Sequence, residues 1–186
     1  MHTSFTASLL LVLASLAACR SAPVHYHTLM PLLVGTSHSV QPTSNLLIER
    51  VTVPPQVDRT QIVLRQGDNG LTVLETEWWG ASLADELQSA LVDQLNQDPM
   101  FARKTSLRVD VQRFDLVPGR YALLDVKWRL RSKPTDGGSA QELSCQGVLQ
   151  ARSGRSVEEL VRAQQENLRG IAKLIGMSDQ GQCPSS

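Results

Sequence analysis

The sequence predicts an α+β fold: a single layered domain in which two amphipathic helices pack on a largely antiparallel sheet of about six strands. Several segments alternate apolar and polar residues, as strands with one buried face do. Two other segments carry an apolar stripe at helical spacing. Helices with one apolar face need a layer to cover, and a sheet supplies it.

The chain begins with an apolar run, Phe5 to Leu16, that is too short to span a bilayer, which takes about 20 residues. The run leads into Leu16-Ala17-Ala18-Cys19, which resembles the bacterial lipobox, although no Lys or Arg precedes Phe5. We therefore expect residues 1–18 to be a lipoprotein signal peptide and Cys19 to be lipidated. An ordinary secretory signal and a buried N-terminal helix with a chance cysteine are the alternatives.

Two further divisions follow from this interpretation. Residues 19–45 would form the lipidated N-terminus, a first strand within Val24 to Leu33, and a short linker rich in breakers and hydroxyls. Residues 46–186 would form the remainder of a single periplasmic domain.

In the first half of that domain, the sequence predicts three strands and a helix. Leu46 to Val53 is a strand ended by two prolines, and Gln61 to Arg65 pairs with Leu71 to Glu75 around a glycine-containing loop. Ser82 is the expected N-cap of an amphipathic helix that ends near Asp98-Pro99.

The second half predicts three strands and a second helix. The strands centre on alternating residues at 107–111, 124–130 and 143–149, and turn-rich loops join them into an antiparallel meander. Ser156 and Glu159 form a capping box for a helix that reaches about Ile175, with Gly176 as its C′ residue.

The composition argues against nucleic-acid binding. The chain carries 18 basic and 18 acidic residues, and 4% of its residues are aromatic. A nucleic-acid surface needs a basic footprint or a stacking platform, and neither is present in this composition.

Two cysteines besides Cys19 remain, Cys145 and Cys183. In an oxidising compartment a disulfide between them is the favoured interpretation. Two unrelated thiols, one in the core and one on a tail, are the alternative.

No catalytic or metal-binding pattern is found. His25 and His27 would share one face of a strand, but no third ligand accompanies them. The chain has no nucleophile elbow and no P-loop. We therefore expect no enzyme activity, no metal and no cofactor.

Two surface features invite a binding interpretation. Exposed tryptophans anchor partners, so Trp78 and Trp79 are candidates, although core packing is the favoured interpretation for one of them. The outward row Lys127, Arg129 and Arg131 could meet lipid headgroups or an acidic partner, and a solvated strand face is the simpler account.

The segment from Ile48 to Val63 and the segment Glu77-Trp78-Trp79-Gly80-Ala81-Ser82-Leu83 resemble the ABC-type transport auxiliary lipoproteins. The first matches the family pattern at Pro54, Val57, Asp58, Arg59, Gln61, Ile62 and Val63. The second fits more loosely at Trp79, Ala81 and Leu83, because this chain has two tryptophans where a single one is commoner.

The resemblance implies a periplasm-facing lipoprotein of the Gram-negative outer membrane, which agrees with Arg20 rather than Asp after Cys19. It implies a partner, the MCE-domain (mammalian-cell-entry) substrate-binding protein of an ABC transport system, in traffic of lipids or hydrophobic compounds. The candidate partner contacts are Asp58, Arg59, Trp78 and Trp79, and a homo-oligomer is compatible with this role. An envelope-assembly lipoprotein, a periplasmic lipid carrier and, less favoured, a hydrolase are the alternatives.

Overall fold

The computed structural model describes residues 22–31, 46–96, 104–132, 139–178 and 181–184, which contain seven strands and two helices. The strands are β1 (His25–His27), β2 (Leu46–Thr52), β3 (Gln61–Gln66), β4 (Gly70–Trp79), β5 (Thr105–Val117), β6 (Tyr121–Ser132) and β7 (Gln141–Arg152). The helices are α1 (Leu83–Asn96), between β4 and β5, and α2 (Val157–Met177), after β7.

The predicted α+β class is confirmed, and the seven strands are close to the predicted six. They form two sheets, however, with the orders β1-β4-β3 and β2-β5-β6-β7. The meander β5-β6-β7 and the hairpin β3-β4 are antiparallel as expected. The two edge strands β1 and β2 run parallel to β4 and β5, so both sheets are mixed.

The sequence did not indicate the parallel pairings because alternation reports which face of a strand is buried, not which neighbour it bonds. β1 joins β4 over 50 residues away, with His25 opposite Glu77 and His27 opposite Trp79. The N-terminal strand is therefore part of the folded body.

Both predicted N-caps are confirmed. Ser82 accepts a hydrogen bond from the backbone N–H of Asp85 at 3.2 Å, and the Ser156–Glu159 capping box of α2 is complete. The predicted C′ residue Gly176 is wrong, because α2 continues through it to Met177 and is capped by Ser178. The Ser178 hydroxyl donates to the Leu174 carbonyl and receives the indole N–H of buried Trp128, so tertiary contacts extend the last turn.

The hydrophobic core lies between the sheets and the helices. Helix α2 packs on β6 and β7 and touches α1. In the part of the chain that the structure describes, no helix has the length and apolar character needed to cross a membrane.

Candidate functional site

The surface around β1 combines three of the predicted partner contacts, Asp58, Arg59 and Trp78, with the described part of the chain that is nearest to Cys19 in sequence. Cys19 and the predicted signal peptide before it lie outside the described residues. The candidate site is therefore built from β1, the end of β4, the loop before β3 and the two helices.

The histidines of β1 both bind one carboxylate of β4. His25 Nδ1 lies 3.0 Å from Glu77 Oε1, and His27 Nε2 lies 2.5 Å from Glu77 Oε2. The two imidazoles thus share one face of β1, as the sequence predicted. Both of them bind the neighbouring strand β4 through Glu77. The hydrogen bonds from His27 and then His25 lower the pKa of Glu77 below its ordinary value of 4.5.

The residues that follow β1 are bound by both helices. Buried Glu86 of α1 accepts hydrogen bonds from the Thr28 hydroxyl at 2.8 Å and the Leu29 backbone N–H at 2.9 Å. Gln165 of α2 donates to the Thr28 carbonyl at 3.0 Å, and Leu29 is 1% exposed. This segment is consequently fixed to the body by its backbone as well as its side chains.

Tyr26 and Trp78 form an exposed aromatic pair on the other face of the same strands. Their ring centroids lie 6.3 Å apart in an edge-to-face arrangement, and the two residues are opposite in register. Tyr26 is 67% exposed, and Trp78 is partly exposed with its indole N–H donated to the Glu75 carbonyl.

Asp58 and Arg59 lie in the exposed loop between β2 and β3, at the same end of the three-stranded sheet as Trp78. The Trp79 N–H donates to the Thr60 carbonyl at 2.6 Å, and Gln61 pairs with Trp78. Buried Val57 fixes the loop to the core, which leaves the Asp58 and Arg59 side chains facing solvent.

Trp79, the fourth predicted contact, does not belong to a surface. It is 2% exposed and packs edge-to-face on Phe114 at 6.0 Å. The prediction that it contacts a partner is wrong, because strand alternation directs Trp78 and Trp79 to opposite faces and the second one enters the core.

Cys145 and Cys183 are joined in a disulfide, with their Cα atoms 5.5 Å apart. The bond attaches residues 181–184 to β7. β7 and β1 belong to different sheets, and the bond is not part of the candidate site.

The fold assembles two charged groups from residues that lie apart in the sequence. Buried Asp115 binds Arg65 and Arg113, through bonds of 3.1 and 2.6 Å. An open groove of about 300 Å³ on the four-stranded sheet is lined by four cationic residues, Arg50, Arg108, Lys127 and Arg129. Arg108 and Arg129 are paired with Glu49 and Glu142. The sequence indicated Lys127 and Arg129 as an outward row, but no motif marks the members of these groups that come from other strands.

The arrangement around β1 presents a surface that can bind a partner. Its acidic residues Glu77 and Glu86 are occupied by hydrogen bonds that hold the N-terminal segment. Its solvent-facing groups are an aromatic pair and one oppositely charged pair of neighbours in the β2–β3 loop.

Comparison with known proteins gives a family match. A family model described as "ABC-type transport auxiliary lipoprotein component" matches residues 27–176. No curated protein matches the sequence significantly.

Two crystal structures share the fold. One, of an uncharacterized protein, is 18% identical, covers 84% of this chain and 99% of its own, and superposes with a TM-score of 0.66. The other, a Xanthomonas campestris protein assigned to the family DUF330, is 16% identical, covers 73% of this chain and 83% of its own, and gives a TM-score of 0.54.

Proposed function

Because the chain belongs to the family of ABC-type transport auxiliary lipoproteins, we propose that it is the membrane-tethered docking subunit of a transporter that moves lipids or hydrophobic compounds across the periplasm. Its partner would be the MCE-domain substrate-binding protein of that system. Cys19 would carry the acyl chains, and the outer membrane would be the membrane that holds them.

The observation that carries the proposal is the fixed N-terminal segment. A lipid anchor fixes the position of a domain only if the chain that follows the anchor is held rigidly to that domain. Here Glu77 and Glu86 bind residues 25–29 within ten residues of Cys19. Acyl chains contribute about 0.8 kcal/mol per buried methylene, so more than one chain holds a domain stably.

The docking surface in this proposal is the exposed loop at Asp58 and Arg59. Tethering raises the effective concentration of a weak contact, so a small charged surface is sufficient once both proteins are held at the same membrane. Mutation of a solvent-facing charge of this kind changes the association rate more than the fold.

In-cell crosslinking with mass-spectrometric identification tests the partner. A photo-crosslinker at position 58 should capture the MCE-domain protein, whereas one at exposed Gln150 on β7 should not. Capture of an envelope-assembly protein at position 58, with no transporter component, would replace the proposed function by that alternative.

The charge-reversal pair Asp58→Lys and Arg59→Glu tests the surface itself. We expect at least about a ten-fold loss of partner recovery with unchanged thermal unfolding. Gln88→Glu, an exposed change on α1, is the matched control. Equal partner recovery from the charge-reversal variant and the control would refute this placement.

Cys19→Ser tests the tether. The variant should fold, leave the membrane fraction and lose support of transport. A variant that remains membrane-bound and fully active would overturn the proposal.

A further inference from the structure

The length of chain between Cys19 and β1 restricts which face of the domain can approach its membrane. Seven peptide steps separate Cys19 from Tyr26, which is at most about 25 Å even when fully extended. A domain of this size is roughly 40 Å across. Only the region around β1 lies within the reach of an anchor at Cys19.

The attachment of β1 to the domain then restricts how the domain can rotate relative to the anchor. The strand pairs with β4, its histidines bind Glu77, and the following residues bind Glu86 and Gln165. The domain cannot swing freely on residues 25–29, because these are part of its folded body.

The face of β1 that is left exposed is apolar. Val24 and Tyr26 are two positions apart and so lie on one side of the extended chain, and they are 38% and 67% exposed. Trp78 stands beside Tyr26 in the neighbouring strand. We call these three residues the Tyr26 surface.

We propose that the Tyr26 surface rests on the headgroup region of the membrane that holds the Cys19 anchor. Tyrosine and tryptophan favour this region because each combines an apolar ring with a polar edge. The inference rests on the proposed lipidation of Cys19. It assigns Trp78 to the membrane and leaves Asp58 and Arg59 for the protein partner.

Tryptophan fluorescence of the full lipidated protein in vesicles tests the orientation. The vesicles contain phosphatidylethanolamine and phosphatidylglycerol with bromine on the acyl chains near the headgroup, since bromine quenches indole at close range. The chain has three tryptophans, and Trp79 and Trp128 are 2% and 1% exposed. Quenching should therefore come from Trp78 and disappear in Trp78→Phe.

Substitutions on the same surface should weaken the contact. Tyr26→Ser should reduce quenching by at least about two-fold. Leu47→Ser is the matched control, because Leu47 is 65% exposed but belongs to β2 of the other sheet. Circular dichroism and denaturation of both variants establish that they fold.

The possible failures are distinguishable. Protein that does not float with the vesicles would overturn the lipid tether and, with it, the orientation. Protein that floats but shows equal quenching in wild type and Trp78→Phe would overturn the orientation alone.

Discussion

Two carboxylates, Glu77 and Glu86, hold residues 25–29 to the rest of the domain. Glu86 is 7% exposed yet lies on a helix whose other buried residues are apolar. Burial of an acid is costly unless hydrogen bonds compensate for lost water. The hydroxyl of Thr28 and the N–H of Leu29 provide those bonds. The burial of Glu86 therefore depends on the N-terminal segment that supplies them.

Glu86→Ala should lower the free energy of unfolding by about 2 kcal/mol, because it leaves the Leu29 N–H buried without an acceptor. Gln88→Ala, an exposed change two residues along the same helix, should have little effect. Urea denaturation of both variants measures the difference. Equal stabilities would show that Glu86 does not hold the segment.

Glu77 makes part of the stability dependent on pH. Its folded pKa is depressed, so its contribution is present above the unfolded value of 4.5 and is lost as the pH falls through the folded value. The titratable groups that face it are His25 and His27 on β1 and, at longer range, Glu158 at the start of α2.

The stability difference between wild type and Glu77→Gln should therefore shrink as the pH falls from about 6 to about 3. Denaturation at a series of pH values measures it. Glu75→Gln, an exposed carboxylate on the same strand, is the control. A difference that stays constant over this range would contradict the assigned role of Glu77.

At the scale of elements, the packing of α2 on the four-stranded sheet depends on a glycine in β7. A Cβ at Gly147 would lie 3.0 Å from Leu174 and 3.4 Å from Ile171 of α2, and 3.2 Å from buried Trp128. The strand tolerates glycine there because the helix needs the space.

Gly147→Ala should consequently destabilise the protein by about 1–3 kcal/mol, although alanine is ordinarily the better strand residue. Gln150→Ala, at an exposed position of the same strand, should be nearly neutral. Thermal or urea unfolding of the two variants measures the difference in their stability. A stabilised Gly147→Ala variant would show that α2 can move away from the sheet at little cost.

At the scale of the whole molecule, the disulfide connects the C-terminal tail to the sheet across 38 residues. In the chain-entropy account a closed loop of this length is worth about 4 kcal/mol, with strain in the folded state subtracting from it. The bond thus acts mainly on the unfolded chain.

Cys183→Ser in a Cys19→Ser background should lower the midpoint of urea denaturation, and addition of reductant to the Cys19→Ser protein should reproduce the effect. Thiol labelling of the denatured, unreduced Cys19→Ser protein should find no reactive thiol. Two reactive thiols would contradict the bond.

The sequence by itself determined the α+β class, both helices with their N-caps and the meander. These are local or periodic properties: a capping box is four residues long, and alternation needs only one strand. The family resemblance was also carried by short segments, at positions 48–63 and 77–83.

Only the tertiary structure decided the two-sheet arrangement, the parallel edge strands and which of Trp78 and Trp79 enters the core. Each depends on contacts between residues far apart in the sequence, as in the bonds of Glu77 and Glu86 to residues 25–29. The pattern of apolar residues shows which face of a strand or helix is buried, whereas the element that covers that face is determined by the whole fold.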